Sequence, residues 1–198
     1  SFENKYFQHF NLNVNTFPGS LKVKVKENVL IPGVDYLVDP CAPSVNGSFH
    51  VISYKWTEFA NPSIRKSLLN SCAGNAILIE MDDSLNTDKQ TNESVNKFIR
   101  DIKYNPEIKN VLTIILSDKK LTWGISDAQC IKPVIIMKSG QNLKSDFAEI
   151  EVGIQARYKQ NYQTQNVIGM VRGAVRPDSF LIITAHYDHL GIMGKHTI

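Results

Sequence analysis

Hydrophobic and polar residues alternate with changing periods along the chain, and each period predicts an element. Residues 1–19 are Asn-rich and read as irregular. Leu21, Val23 and Val25 then alternate with lysines, the two-residue period of a half-exposed strand. Residues 31–48 hold three prolines and two glycines and read as turns. Phe49–Tyr54 is strand-like. Asn61-Pro62 predicts a helix start, because Asn caps the first free N–H groups and Pro fits the first helical position. Ile64, Leu68, Leu69 and Cys72 give that helix one apolar stripe, and Gly74 closes it. Ala76–Ile79 predicts a short buried strand, and residues 81–92 a polar loop with Asp82 and Asp83 solvated in it. Val95, Phe98, Ile99 and Ile102 fall at the spacing of a second amphipathic helix. Val111–Leu116 and Lys132–Met137 predict two further buried strands. Strands alternating with helices place this part in the α/β or α+β classes.

From Phe147 the texture changes. Ile150, Val152, Ile154 and Ala156 alternate with polar neighbours, and Tyr158–Gln165 reads as a polar bridge into Asn166–Gly173. A turn over Ala174–Ser179 contains Pro177-Asp178. Phe180–Ala185 is a nearly continuous apolar run, the pattern of a strand buried on both faces. These shifts predict a domain boundary near residues 140–148.

Composition narrows the function classes. The 198 residues are 42% hydrophobic and 21% charged, ordinary for a globular chain with a sizeable core. The net charge of +3 is small and the basic residues are interspersed with acidic ones, which gives no electrostatic case for nucleic acid or an anionic membrane. No run reaches the roughly 18 apolar residues that cross a bilayer. The start at Ser1, without Met, reads as processed or trimmed. Cys41, Cys72 and Cys130 lie far apart with no C-x-x-C pair, which excludes a cysteine zinc knuckle. They read as buried thiols, or as one disulfide with one free thiol.

The candidate chemistry lies at the C-terminal end. His186, His189 and His196 stand within eleven residues of one another, around Ala185-His186-Tyr187-Asp188-His189-Leu190-Gly191. In open α/β sheets, active sites gather at the C-terminal ends of strands. If the strand runs on through Asp188, His186 and Asp188 point to one face, and the carboxylate can accept the second ring N–H of His186. That fixes the tautomer and strengthens the imidazole as a metal ligand. The same pair can equally be a structural hydrogen bond, and His189 and His196 read as solvated loop residues.

Residues 165–194 resemble the start of the peptidase domain in the zinc-dependent aminopeptidase family, which includes double-zinc aminopeptidases, glutamate carboxypeptidase and the transferrin receptor. The matching pieces are Gln165–Gly169, Gly173 with Pro177-Asp178, and the apolar run into His186–Gly191. The resemblance implies that His186 is the first zinc ligand and Asp188 the catalytic-site carboxylate that orients it. It implies two zinc ions, the remaining ligands and the general base lying beyond Ile198, and a peptide as substrate. It also implies a secreted or periplasmic protein.

More loosely, residues 20–140 resemble the protease-associated domain that many members carry. The resulting expectation is an α+β chain: residues 1–145 form a protease-associated-like β-rich domain with flanking helices. Residues 146–198 form the first strands of an incomplete zinc peptidase domain. Alone, the chain is expected to be inactive and to self-associate through exposed strand edges. The alternatives are a non-catalytic binding module and a degenerate peptidase relative.

Overall fold

A computed structural model describes residues 6–81, 89–140 and 145–186, with two short pieces at 192–193 and 196–197. The chain is α+β. Ten strands precede residue 168: β1 (Phe7–Thr16), β2 (Leu21–Val25), β3 (Asn28–Val29), β4 (Tyr36–Val38), β5 (Val45–Lys55), β6 (Ala76–Glu80), β7 (Leu112–Ser117), β8 (Val134–Lys138), β9 (Glu149–Ile154) and β10 (Arg157–Val167). The helices are α1 (Pro62–Ser71) and α2 (Lys89–Ile102). The residue pairs Ile192–Met193 (β11) and His196–Thr197 (β12) bridge each other.

Eight strands form one sheet in the order β3-β2-β9-β5-β6-β7-β8-β4. Its middle, β5 through β8, is parallel. β9 pairs antiparallel with both β2 and β5, and β4 antiparallel with β8. The parallel strands need crossovers, which α1 and α2 supply between β5, β6 and β7.

Two hydrophobic clusters hold the sheet, one on each face. Alternate residues of β6 belong to different clusters: Ala76 and Leu78 to one, Ile77 and Ile79 to the other. All four are fully buried, which is why this stretch reads as an unbroken apolar run. The helical face packs Leu68 of α1, Cys72 at its C-cap, and Val95, Ile99 and Ile102 of α2 against β6. Phe59 stacks at 5.3 Å from Phe98, and the Arg65 guanidinium lies 5.2 Å over the Phe98 ring. On the other face the inward residues of β2, β4, β7, β8 and β9 meet in a single cluster, so the sheet curls around them.

The local signals place α1 as expected, while α2 starts at Lys89, inside the segment expected to be a loop over 81–92. Asn61 Oδ1 accepts the Ser63 N–H at 2.9 Å, and Gly74 takes φ +75° just past the helix. The Leu69 side chain, Asp82 and Asp83 lie outside the described residues.

Three expectations are corrected. Residues 31–48 are not only turns: Tyr36–Val38 is a fully buried edge strand, too short to show a period among its prolines. Residues 7–16 are not irregular, and 158–165 are more than a polar bridge: β1 and β10 pair with each other over most of their length as an antiparallel arm outside the main sheet. The textural change at Phe147 does not start a new sheet, because β9 lies between β2 and β5. The first body of the fold therefore extends through Ile154.

The arm is rooted by Asn15. Its amide nitrogen donates to the carbonyls of Pro40 and Ala42, both at 2.9 Å, and its Oδ1 accepts from Gln129 Nε2 at 3.1 Å. Its backbone N–H donates to Ser126 O at 3.0 Å. Further out, Asn13 faces Gln160 and Asn161 across a bulge. Asn161 adopts φ +54°, and its N–H donates to Asn13 Oδ1 at 3.1 Å. Asn tolerates that left-handed conformation better than branched residues do.

Two changes test the root and the bulge by urea denaturation. Asn15→Ala strands buried carbonyls and should cost about 2 kcal/mol. Asn161→Gly should be neutral within about 0.5 kcal/mol, whereas Asn161→Val should cost about 1–2 kcal/mol.

Candidate functional site

His186 closes the long described segment that follows β10. The segment leaves the arm at Val167, makes a turn in which Ser179 N–H donates to Arg176 O at 3.1 Å, and runs extended to His186. The return leg faces the outgoing one across an open cleft with a volume of about 1410 Å³. Ile168, Met170, Phe180, Ile182 and His186 are among its lining residues, with Gln8 and Asn166 at the arm end.

The structure contradicts the buried strand expected at Phe180–Ala185. Those residues belong to no strand, and Phe180, Leu181, Ile182 and Ile183 are 74–89% exposed. A strand buried on both faces needs a ladder partner on each side and a layer above and below. The edges of the eight-stranded sheet are held by β3 and β4, and none of its strands pairs with residues 180–185. The apolar run is therefore laid out in the open, and His186 with it.

Asp188 and His189 lie outside the described residues, as does the side chain of His196, so the H-x-D pairing has no geometry here. Among the described residues lining the cleft, His186 is the one imidazole, and none is a carboxylate or a thiol. Among the described residues no three His, Cys, Asp or Glu side chains gather around a common point. A catalytic zinc takes three protein ligands and water. The described residues supply one donor in the cleft, so by themselves they do not make a metal centre.

A different cluster was not legible in the sequence. Cys41 and Cys130, 89 positions apart, are neighbours: Cys130 N–H donates to Cys41 O at 2.7 Å. The Cys130 thiol donates to Lys132 O at 3.2 Å, and Tyr104 Oη–H points at Cys41 Sγ from 3.8 Å. Asp39 accepts the Cys41 backbone N–H at 3.0 Å and pairs with Lys103 at 3.1 Å. The neighbouring Cys130 thiol lowers the pKa of Cys41, and Cys41 in turn raises that of Cys130, with burial adding to it. Tyr104 is pushed up to about 12 by desolvation and by its bond to Cys41. Burial lowers the Lys103 pKa, but the charge and hydrogen bond of Asp39 outweigh it, so Lys103 stays firmly cationic. Cys72 stands apart on the helical face, its thiol donating to Leu68 O at 2.7 Å.

No protein-family model matches the chain, and no curated protein matches it. Among solved structures it is similar to the "Aminopeptidase from Aneurinibacillus sp. strain AM-1", at 16% identity and a TM-score of 0.47, over 86% of this chain and 39% of that one. It is also similar to a "Peptidase M28 precursor" from Shewanella amazonensis SB2B, at 11% identity and a TM-score of 0.48, over 86% of this chain and 42% of that one. The chain thus spans about two-fifths of the length of each.

Substitution contrasts the two apolar runs. Ile182→Ser, on the exposed segment, should change unfolding stability by less than about 0.5 kcal/mol. Ile77→Ala, inside the sheet, should cost about 3 kcal/mol. A chemical-denaturation series measures both.

Proposed function

We propose that this chain is part of a zinc-dependent exopeptidase that removes N-terminal residues from peptides. In this reading the first body, through Ile154, is a protease-associated-like domain serving substrate access or protein interaction, and the residues after it open the catalytic domain. The observation that carries it is the ordered set of motif pieces from Gln165 to Gly191, with His186 at the end of an apolar run and beside an open cleft. His186 would donate one imidazole nitrogen to a metal, and Asp188 would hold the other ring N–H and so fix the tautomer. Bound zinc would polarise the scissile carbonyl and acidify a water. The further ligands and the general base belong to residues beyond Ile198, and export to the periplasm or the medium belongs to the same proposal. A non-catalytic binding module is the second reading, favoured by the lack, among the described residues, of three ligand-type side chains around a common point.

With zinc added, the 198-residue chain should not hydrolyse an aminoacyl chromogenic substrate. A longer protein containing it should, and there His186→Ala should abolish turnover while Asp188→Asn lowers metal affinity by about 10–100-fold. Full activity of the longer His186→Ala protein would sink the proposal and favour the binding module.

The same exposure makes self-association the proposed behaviour of the isolated chain. The 180–183 run is uncovered, and the arm carries exposed Phe7, Phe10 and Tyr162. Unpaired backbone edges and open apolar surface invite pairing. Sedimentation velocity should show mass rising with concentration; a monomer throughout the range contradicts it.

A further inference from the structure

We propose that Cys41 and Cys130 form a disulfide that locks the clamp holding the root of the β1–β10 arm. The backbone already meets the geometric requirement. With Cys130 N–H bonded to Cys41 O at 2.7 Å, standard backbone dimensions keep the two Cα atoms within roughly 6.6 Å. Disulfides span about 4.4–6.8 Å between Cα atoms. The Cys130 thiol donates to Lys132 O at 3.2 Å, so closing the bridge means turning it toward Cys41, with little backbone movement.

What the bridge would join gives it a role. Asn15 is gripped from one side by the carbonyls of Pro40 and Ala42, which flank Cys41. From the other side it is gripped by Ser126 O and the Gln129 amide, and Gln129 is the residue before Cys130. Tyr158, at the base of β10, donates to Asp127 O at 2.9 Å on that same side. Both jaws of the clamp therefore carry one cysteine of the pair. With the thiols free, the jaws are held by hydrogen bonds alone and can open locally. With them joined, they cannot separate, and the direction in which the arm leaves the sheet is fixed.

The reaction balances with a low-molecular-weight disulfide such as oxidised glutathione. Cys41, the more acidic thiol, loses its proton and attacks one glutathione sulfur, expelling one glutathione thiolate. Cys130 then loses its proton and attacks the Cys41 sulfur of the mixed disulfide, expelling the second. The protein gives up two protons and two electrons, and the oxidised glutathione becomes two thiols. The neighbouring Cys130 and, more weakly, Tyr104 favour the Cys41 thiolate against burial and the nearby Asp39. Both cysteines are only 3% exposed, so exchange needs opening of the 39–42 turn or occurs before the sheet closes. The same burial shields the finished bond. Cys72, packed in the helical-face cluster with its thiol on Leu68 O, stays a thiol.

The test refolds the full chain in a glutathione redox buffer and counts thiols in denaturant, with peptide mapping by mass spectrometry. The expected result is a fall from three titratable thiols to one, with Cys41 linked to Cys130. The oxidised chain should melt roughly 10 °C higher than the reduced one. Its Asn15 amide should exchange with deuterium about tenfold more slowly. Cys72→Ser should leave this behaviour intact, and Cys130→Ser should abolish the melting shift. Three thiols after oxidation, or a link through Cys72, overturns the pairing. A bridge that leaves Asn15 exchange unchanged overturns the lock.

Discussion

One long antiparallel association sets up the rest of the molecule: residues 7–25 run beside residues 150–167. Its inner half is the β2·β9 ladder, from Leu21↔Ile154 to Val25↔Ile150, and its outer half is the β1·β10 ladder, from Thr16↔Arg157 to Phe7↔Val167. The two halves differ because β9 also pairs with β5 and so becomes part of the sheet, whereas β10 has β1 alone. Between the halves lies Gly19, where a Cβ would come within 2.8 Å of the Gln155 Cβ. The glycine lets the two strands cross closely as the register shifts and the arm departs.

An isolated two-stranded ribbon is marginal in water. Stability therefore has to come from its root, and the root is polar. The Asn15 side chain is buried and makes three hydrogen bonds there. A satisfied buried amide adds modest net stability but strong directionality, because any other orientation strands its partners. Phe17, two residues on, adds apolar burial, its ring meeting Trp123 edge-on at 5.8 Å. The arm thus joins the body through a directional polar clamp backed by one aromatic contact. The cysteine pair lies within that clamp.

The segment with the candidate chemistry obeys the opposite rule. Residues 180–183 have the composition of a core strand and the exposure of a loop, and His186 shares that open position. Hydrophobic sequence supplies a driving force for burial, but burial needs something to bury against. A metal centre is similarly cooperative: a single imidazole binds weakly until further donors converge on the ion.

Period and punctuation were enough to read the elements that carry their own signal. α1 announced itself through Asn61-Pro62 and Gly74, α2 through Val95, Phe98, Ile99 and Ile102, and the central strands through uninterrupted apolar runs. β1 also carried an alternation, Phe10, Leu12 and Val14 between asparagines, which the low strand propensity of Asn masked. β10 has no comparable stripe; its partner alone makes it a strand. For the candidate site, the sequence determined the identity, order and spacing of its residues, because these are properties of the chain itself. Tertiary structure alone decided that β9 enters the first sheet, that residues 180–186 stay outside it, and that Cys41 meets Cys130. Those outcomes depend on which distant segments compete for the same edges and faces, and no local period records that competition.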